Sequence, residues 1–327
     1  MTLKTEIDIM TNEKSKIIFF NGKVVTLDSS DTIASAVAVK DGRILAVGSD
    51  EQVKQFANPG AHLIDLSGKT MLPGLIDAHT HLAWAALVFH TFVDGRCPPN
   101  KSVSDILERI RQRVIETDKG EWISVQGSFF ANFKLDEKRL PRKEDLDSVA
   151  PEHPVAYVNT VHSHVVNSAA LKSLNITKRT PNPPGAMIER DEKTGEPTGY
   201  LRECSNILPI MSFTDEQIKK AIRDIVPQYW VKQGCTTAYS FADEREFRIY
   251  QELAKEGSLP LRIQAMPMDV ALGSDPVIEG LITLGIQQGF GNEWLKIGGV
   301  KIFLDGAFMG LGAATWEPYL NMPVRDY

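Results

Sequence analysis

Cysteine is scarce: three in 327 residues, Cys97, Cys204 and Cys235, each far from the others. Spacing this wide builds neither a disulfide framework nor a Cys-x-x-Cys zinc or redox motif. Long apolar runs are missing too. No segment approaches the roughly eighteen apolar residues of a bilayer span. The opening MTLKTEIDIMTNEKSK is polar and lacks the apolar centre of a secretory signal. Positive charge is not in excess. Lys and Arg number 36 against 42 Asp and Glu, a formal net charge of −6 at pH 7 with both signs spread along the chain. This removes the basic stripe that a nucleic-acid or polyanion binder needs. Nor is there a solenoid-type repeat or a low-complexity tract. A cytoplasmic protein without membrane or nucleic-acid partners is the expectation.

What is present is ordinary for a folded chain: 43% hydrophobic and 24% charged residues. The length suits one large α/β domain with an appendage, or two domains. From Lys16 to about Thr70 the pattern is short β, with turn signals at Asn21-Gly22, Asp41-Gly42 and Ser67-Gly68. This predicts a small all-β module with a hairpin closed by Asp41-Gly42, not part of a parallel sheet. Trp84 to Met211 is mixed. It contains an amphipathic helix, SVSDILERIRQRVIE, opened by Ser102 or Ser104, then strand-like WISVQGSFF and PVAYVNTVH and a Pro-rich loop. From Phe213 onward strands and helices alternate, with a capping box at Thr214 and Gln217 and a strand over LKIGGVKIFLDG. That rhythm predicts parallel βα units.

Within PGLIDAHTHL, strand alternation puts Leu75, Asp77, His79 and His81 on one face and Ile76, Ala78, Thr80 and Leu82 on the other. An acid and two imidazoles on one face are costly to bury unless each has a partner. A histidine pair of this kind can bond backbone carbonyls at a strand end, or it can bind a divalent ion, with Asp77 behind it. The preceding Pro-Gly and the apolar opposite face favour the metal. Lys301 poses a related problem. It lies in the apolar run IGGVKIFLDGAF on the same face as Phe303 and Asp305. Such a lysine can snorkel outward or pair with Asp305. Opposite a His-x-His at a strand end it also fits a functional amine, since lysine shifts its pKa readily on burial.

These stretches resemble the amidohydrolase superfamily, and more closely its YtcJ-like group that includes the N-substituted formamide deformylases (amidohydrolase family 3). The resemblance rests on GKTMLPGLIDAHTHL, LPRKEDLDSVAPEHPVAYVNTVHSHVVNSAAL, PPGAMIERDEKTGEPTGYLRE and VKIFLDGAFMGLGAATWEPYL, and it runs from about Lys16 to the end of the chain. It implies an α/β fold, a (β/α)8 (TIM-type) metal-dependent hydrolase barrel beside a small β module contributed by both chain ends. Residues 1–70 would belong to that module and 71–327 to the barrel, with an insertion at about 84–212. His79 and His81 fall on the His-x-His that closes the first barrel strand and binds metal. Lys301 falls on the fourth-strand lysine, which is carboxylated to bridge two metals. The cofactor implied is one or two divalent ions, with zinc the expected metal. His162 matches a motif of the insertion and Asp305 follows the lysine strand, so both are candidates for substrate binding. His62, His90, His153 and His164 are expected to be structural.

The resemblance also implies two metal-binding histidines from the fifth and sixth strands and a catalytic Asp from the eighth. No histidine follows His164, so those groups, the catalytic Asp among them, would lie beyond Tyr327. The expectation is a barrel ended after its fourth strand, with open edges that a missing C-terminal half or a second copy of the chain would cover. The expected activity is hydrolysis of a non-peptide C–N bond in a small amide or N-substituted formamide. A catalytically incomplete binding module and a deaminase acting on a cyclic C–N bond are the alternatives.

Overall fold

Left-handed turn residues decide how the first strands associate. The computed structural model describes residues 16–160, 162–209, 213–268, 276–302, 304–305 and 313–317. The chain divides into two compact units, Met1–Leu75 and Ile76–Tyr327. The first holds β1 (Ile17–Phe20), β2 (Lys23–Val25), β3 (Ile33–Ala34), β4 (Ala36–Lys40), β5 (Arg43–Gly48), a short helix α1 (Asp50–Lys54), β6 (His62–Asp65) and β7 (Thr70–Met71). They form two small sheets, ordered β5-β4-β1-β6 and β3-β2-β7. Asp41 and Gly42 both take positive φ, 51° and 72°, and close the β4–β5 hairpin between Lys40 and Arg43.

The other two turns join strands of different sheets. β6 runs parallel to β1 and β7 parallel to β2, so neither Asn21-Gly22 nor Ser67-Gly68 makes a hairpin. Each carries the chain from one sheet into the other, and the two turns interlock. The Gly68 N–H donates to the Asn21 carbonyl at 2.7 Å, and the Asn21 side-chain amide donates to Asp65 at 2.8 Å. Asn21, Ser67 and Gly68 all take positive φ, so the left-handed turn residues serve a crossing between sheets and not a hairpin.

The second unit takes up the chain at β8 (Leu75–Thr80) and α2 (Leu82–Thr91). Next come β9 (Val93–Asp94), α3 (Val103–Glu116), β10 (Ile123–Gln126), α4 (Ala131–Lys134), α5 (Lys143–Val149), β11 (Val155–Thr160) and β12 (Ser163–Val166). Then follow α6 (Ser168–Ser173), β13 (Met187–Arg190), β14 (Pro197–Arg202), α7 (Asp215–Tyr229), β15 (Cys235–Ala242), α8 (Glu244–Lys255), β16 (Arg262–Pro267), α9 (Pro276–Thr283) and β17 (Leu295–Ile297). One sheet has the order β17-β16-β15-β8, with β15–β16 and β16–β17 parallel. The segment between α2 and α7 builds a separate mixed sheet, β13-β14-β12-β11-β10-β9.

Helix starts follow the sequence. Ser102 caps α3 with Asp105 answering, and Thr214 with Gln217 boxes the start of α7. The α2 helix is apolar on two sides for a structural reason. Leu82, Ala83, Ala86 and Leu87 join the core against α7, α8 and β15, while Val88 and Phe92 join the core of the inserted sheet. The helix is thus the element shared by both sheets of this unit.

The run expected as one strand over LKIGGVKIFLDG is divided. β17 stops at Ile297, and Lys301 rejoins the sheet only by an isolated bridge to Met268; the pairing breaks after Gly298, whose N–H still donates to the Ala265 carbonyl at 2.7 Å.

Asn167 fixes the inserted sheet. It is fully buried, its carbonyl oxygen accepts from Val155 and Ala170, and its amide donates to Ala150 and His153. All four hydrogen-bonding positions of its side-chain amide are used. Asn167→Ala leaves four buried backbone groups without these partners, and is expected to cost about 3 kcal/mol or more, read by urea denaturation. A loss under about 0.5 kcal/mol would show that water replaces them at no cost.

Candidate metal centre

Strand alternation on β15 sends Ala238 and Ala242 into the helical core and turns Phe241 to the opposite face, beside Met266 of β16. Three nitrogen-bearing side chains meet that ring. His79 packs edge-on at 4.5 Å between centroids, His81 lies at 5.2 Å, and the Lys301 amine sits 4.2 Å from the ring centre. The two imidazole centroids are 6.3 Å apart with the rings tilted by 60°.

Lys301 reaches this face through a register slip. Ile297 pairs with Ala265, whereas Lys301, four residues on, pairs with Met268, only three on. One extra residue on the β17 side reverses the alternation that would otherwise send Lys301 toward the helices. It falls between Gly298, which still bonds to Ala265, and Lys301, which bonds to the Pro267 carbonyl. Gly299 has φ +155°, and a Cβ on Gly298 would stand 2.9 Å from the Gln264 Cβ.

His79 and His81 differ in setting. His79 is exposed at the end of β8, and its N–H donates to Asp77 at 3.2 Å. The other Asp77 carboxylate oxygen accepts from the Trp230 indole at 2.9 Å, so Asp77 ties β8 to the end of α7. His81 is half-buried and stands as the N-cap of α2, yet its side chain caps nothing. The first amides of α2 bond elsewhere. Leu82 donates to the Ser240 hydroxyl at 3.1 Å, Ala83 to the Tyr250 hydroxyl at 3.0 Å, and Trp84 to the Glu246 carboxyl. Ala85 completes the turn on the His81 carbonyl at 2.8 Å. Burial lowers the His81 pKa, with help from the Lys301 charge and then His79, so its imidazole is held neutral. Glu246, partly exposed as a residue, has an enclosed carboxyl. Burial first, and neighbouring Asp243 second, push it up to about 8.

The remaining sequence candidates lie in other contacts. His162 heads β12, where its Nδ1 meets Glu203 at 2.9 Å. Asp305 accepts from the Ala314 N–H at 2.9 Å. His164 is buried and pushed down to about 4, chiefly by burial, with its Nδ1 unbonded. Among the described residues no three His, Cys, Asp or Glu side chains gather closely enough to hold a metal. The donor chemistry at Phe241 nonetheless suits a divalent ion in kind. Two imidazoles, one kept neutral, and a lysine amine that could be carboxylated supply the nitrogen and oxygen donors such ions take.

The model of the amidohydrolase family matches residues 62–327. The chain belongs to this amidohydrolase family. Among amidohydrolase relatives, an N-substituted formamide deformylase from Arthrobacter pascens is 39% identical over 201 residues, 61% of this chain and 36% of that protein. The YtcJ protein of Bacillus subtilis, named as an amidohydrolase, is 29% identical over 323 residues, 94% of this chain and 57% of its own length. A metal-dependent hydrolase structure from Pyrococcus furiosus superposes with a TM-score of 0.63 at 25% identity, covering 90% of this chain and 57% of the other. The chain thus spans about a third to somewhat over half the length of these three proteins.

Sequence reading missed Phe241, Ser240, Tyr250, Trp230 and Glu203. Only one left a usable signal: Ser240 is a polar residue beside Phe241 in the apolar end of β15, YSFA. In metal-free protein the His81 imidazole is expected to titrate below an ordinary histidine, and Lys301→Met to raise it by removing a like charge. Histidine NMR shifts against pH measure both. A Lys301→Met variant whose His81 pKa stays put or falls would show that the lysine charge does not reach the ring.

Proposed function

We propose that this protein is a metal-dependent hydrolase of a carbon–nitrogen bond outside the peptide backbone, in a small amide or N-substituted formamide. The observation that carries the reading is the convergence of His79, His81 and Lys301 on the Phe241 ring. Family membership and the similarity to a formamide deformylase support the bond type. The sheet β17-β16-β15-β8 is read as part of a (β/α)8 barrel, with the site at its strand ends, where such barrels place their chemistry.

His79 and His81 would hold the ion, zinc being the first candidate. Lys301 would add carbamate oxygens after its amine takes up carbon dioxide and loses a proton, which would let one or two ions bind. When bound, the ion supplies Lewis-acid polarisation of the scissile carbonyl and acidification of water at neutral pH. The chain's own part is preparation. Burial keeps the His81 lone pair available, Phe241 forms an apolar floor that fixes both imidazole edges, and Asp77 with Trp230 fixes the strand that bears them.

Protein purified with zinc in the medium and dialysed is expected to retain at least about one ion per chain, and His79→Ala and His81→Ala to retain less than about a tenth of that. Lys301→Ala should fold but lose the mass increment of one carbon dioxide. Release of formate from an N-substituted formamide panel, lost in the same variants, supports deformylation, while ammonia in its place would indicate a deaminase. Zinc retained undiminished by a His79→Ala/His81→Ala double variant would overturn the site. The absence of any turnover across the panel would overturn the activity.

A further inference from the structure

We propose that Ser240 and Tyr250 are positioning residues for His81, acting by capping α2 in its place. This rests on the metal reading above. A helix that begins directly after a strand leaves its first amides unsatisfied, and the N-cap side chain usually takes one of them. Here the N-cap is His81. An imidazole drawn back to cap the helix would be turned away from the Phe241 face. Two hydroxyls from the next βα unit remove that demand by accepting from Leu82 and Ala83 at 3.1 and 3.0 Å.

The proton accounting closes. Each hydroxyl has one proton to give. Tyr250 donates to Ser240 at 2.9 Å, and Ser240 donates onward to the Phe241 carbonyl at 3.3 Å. Both residues are fully buried, and no other described polar group is needed to satisfy them. The consequence for His81 is mechanical. Its carbonyl is held by the Ala85 amide at 2.8 Å, and the two residues after it are pinned from outside. Its backbone, at φ −106° and ψ 73°, therefore lies between fixed points in neither strand nor helix geometry. Ser240 and Phe241 are consecutive on β15, so one strand clamps the histidine backbone from one face and supports its ring from the other. An ordinary helix cap would need only one of these.

The test is a Co(II) titration of the full chain followed by the visible spectrum of the bound ion. Ser240→Ala and Tyr250→Phe are each expected to weaken cobalt binding about tenfold or more, in the range seen for groups that orient a metal ligand, and to change the spectrum. The double variant should bind cobalt at least as weakly as the worse single, since each hydroxyl accepts from a different amide. Ser240→Thr, which keeps the hydroxyl, should recover most of the affinity. Val125→Ala, in the core of the inserted sheet, controls for lost stability. It should lower the melting temperature with cobalt affinity intact. Unchanged affinity in both hydroxyl variants, or an equal loss in the control, overturns the positioning role and leaves the metal reading standing. A wild-type chain that takes up no cobalt overturns the metal reading and this inference with it.

Discussion

Helix α2 starts on hydroxyls that belong to another part of the chain, and much else in the second unit depends on that contact. Leu82 and Ala83 can bury their side chains in the core only if their amides find partners there. Ser240 and Tyr250 provide them more than 150 residues later in sequence. The contact joins β8 to the β15–α8 unit, fixes where the strand ends, and sets the residue at the junction as His81. The same helix then packs against both the βα core and the inserted sheet. Its start is therefore a constraint on two cores at once.

The face opposite is organised by Phe241. A single aromatic ring meets His79 edge-on, His81 at a tilt, and the Lys301 amine over its π face. None of the three is brought there by its own propensity. Lys301 arrives through an extra residue accommodated between Gly298 and Lys301, His81 through a helix cap made by other residues, and His79 on a strand whose acid is bonded to Trp230. The Lys301 charge depresses protonation of His81, so the lysine shapes the site electrostatically even without acting as a ligand. Carboxylation would reverse the sign of that influence.

The features readable in sequence were those carried by local patterns. Asp41-Gly42 predicted its hairpin, Thr214 with Gln217 and Ser102 predicted helix starts, and the alternation after Phe213 predicted the βα units. His-x-His and Lys301 were also visible, as polar groups in apolar runs. What escaped was set by distance in sequence or by backbone detail. Asn21-Gly22 and Ser67-Gly68 carry hairpin chemistry but interlock with each other, which no local window shows. A strand reading of LKIGGVKIFLDG could not anticipate a bulge whose purpose is to turn Lys301 over. The Ser240–Tyr250 relay left one faint mark, a serine in an apolar strand, and Glu203 beside His162 left none.

Crystals of the chain grown with zinc, with anomalous scattering recorded at the zinc edge, test the central claim most directly. A strong peak within bonding distance of the imidazole nitrogens of both His79 and His81, with the Lys301 nitrogen or its carbamate on the same side of Phe241, is the result this account predicts. Zinc bound elsewhere, with both imidazoles left without metal, would contradict it.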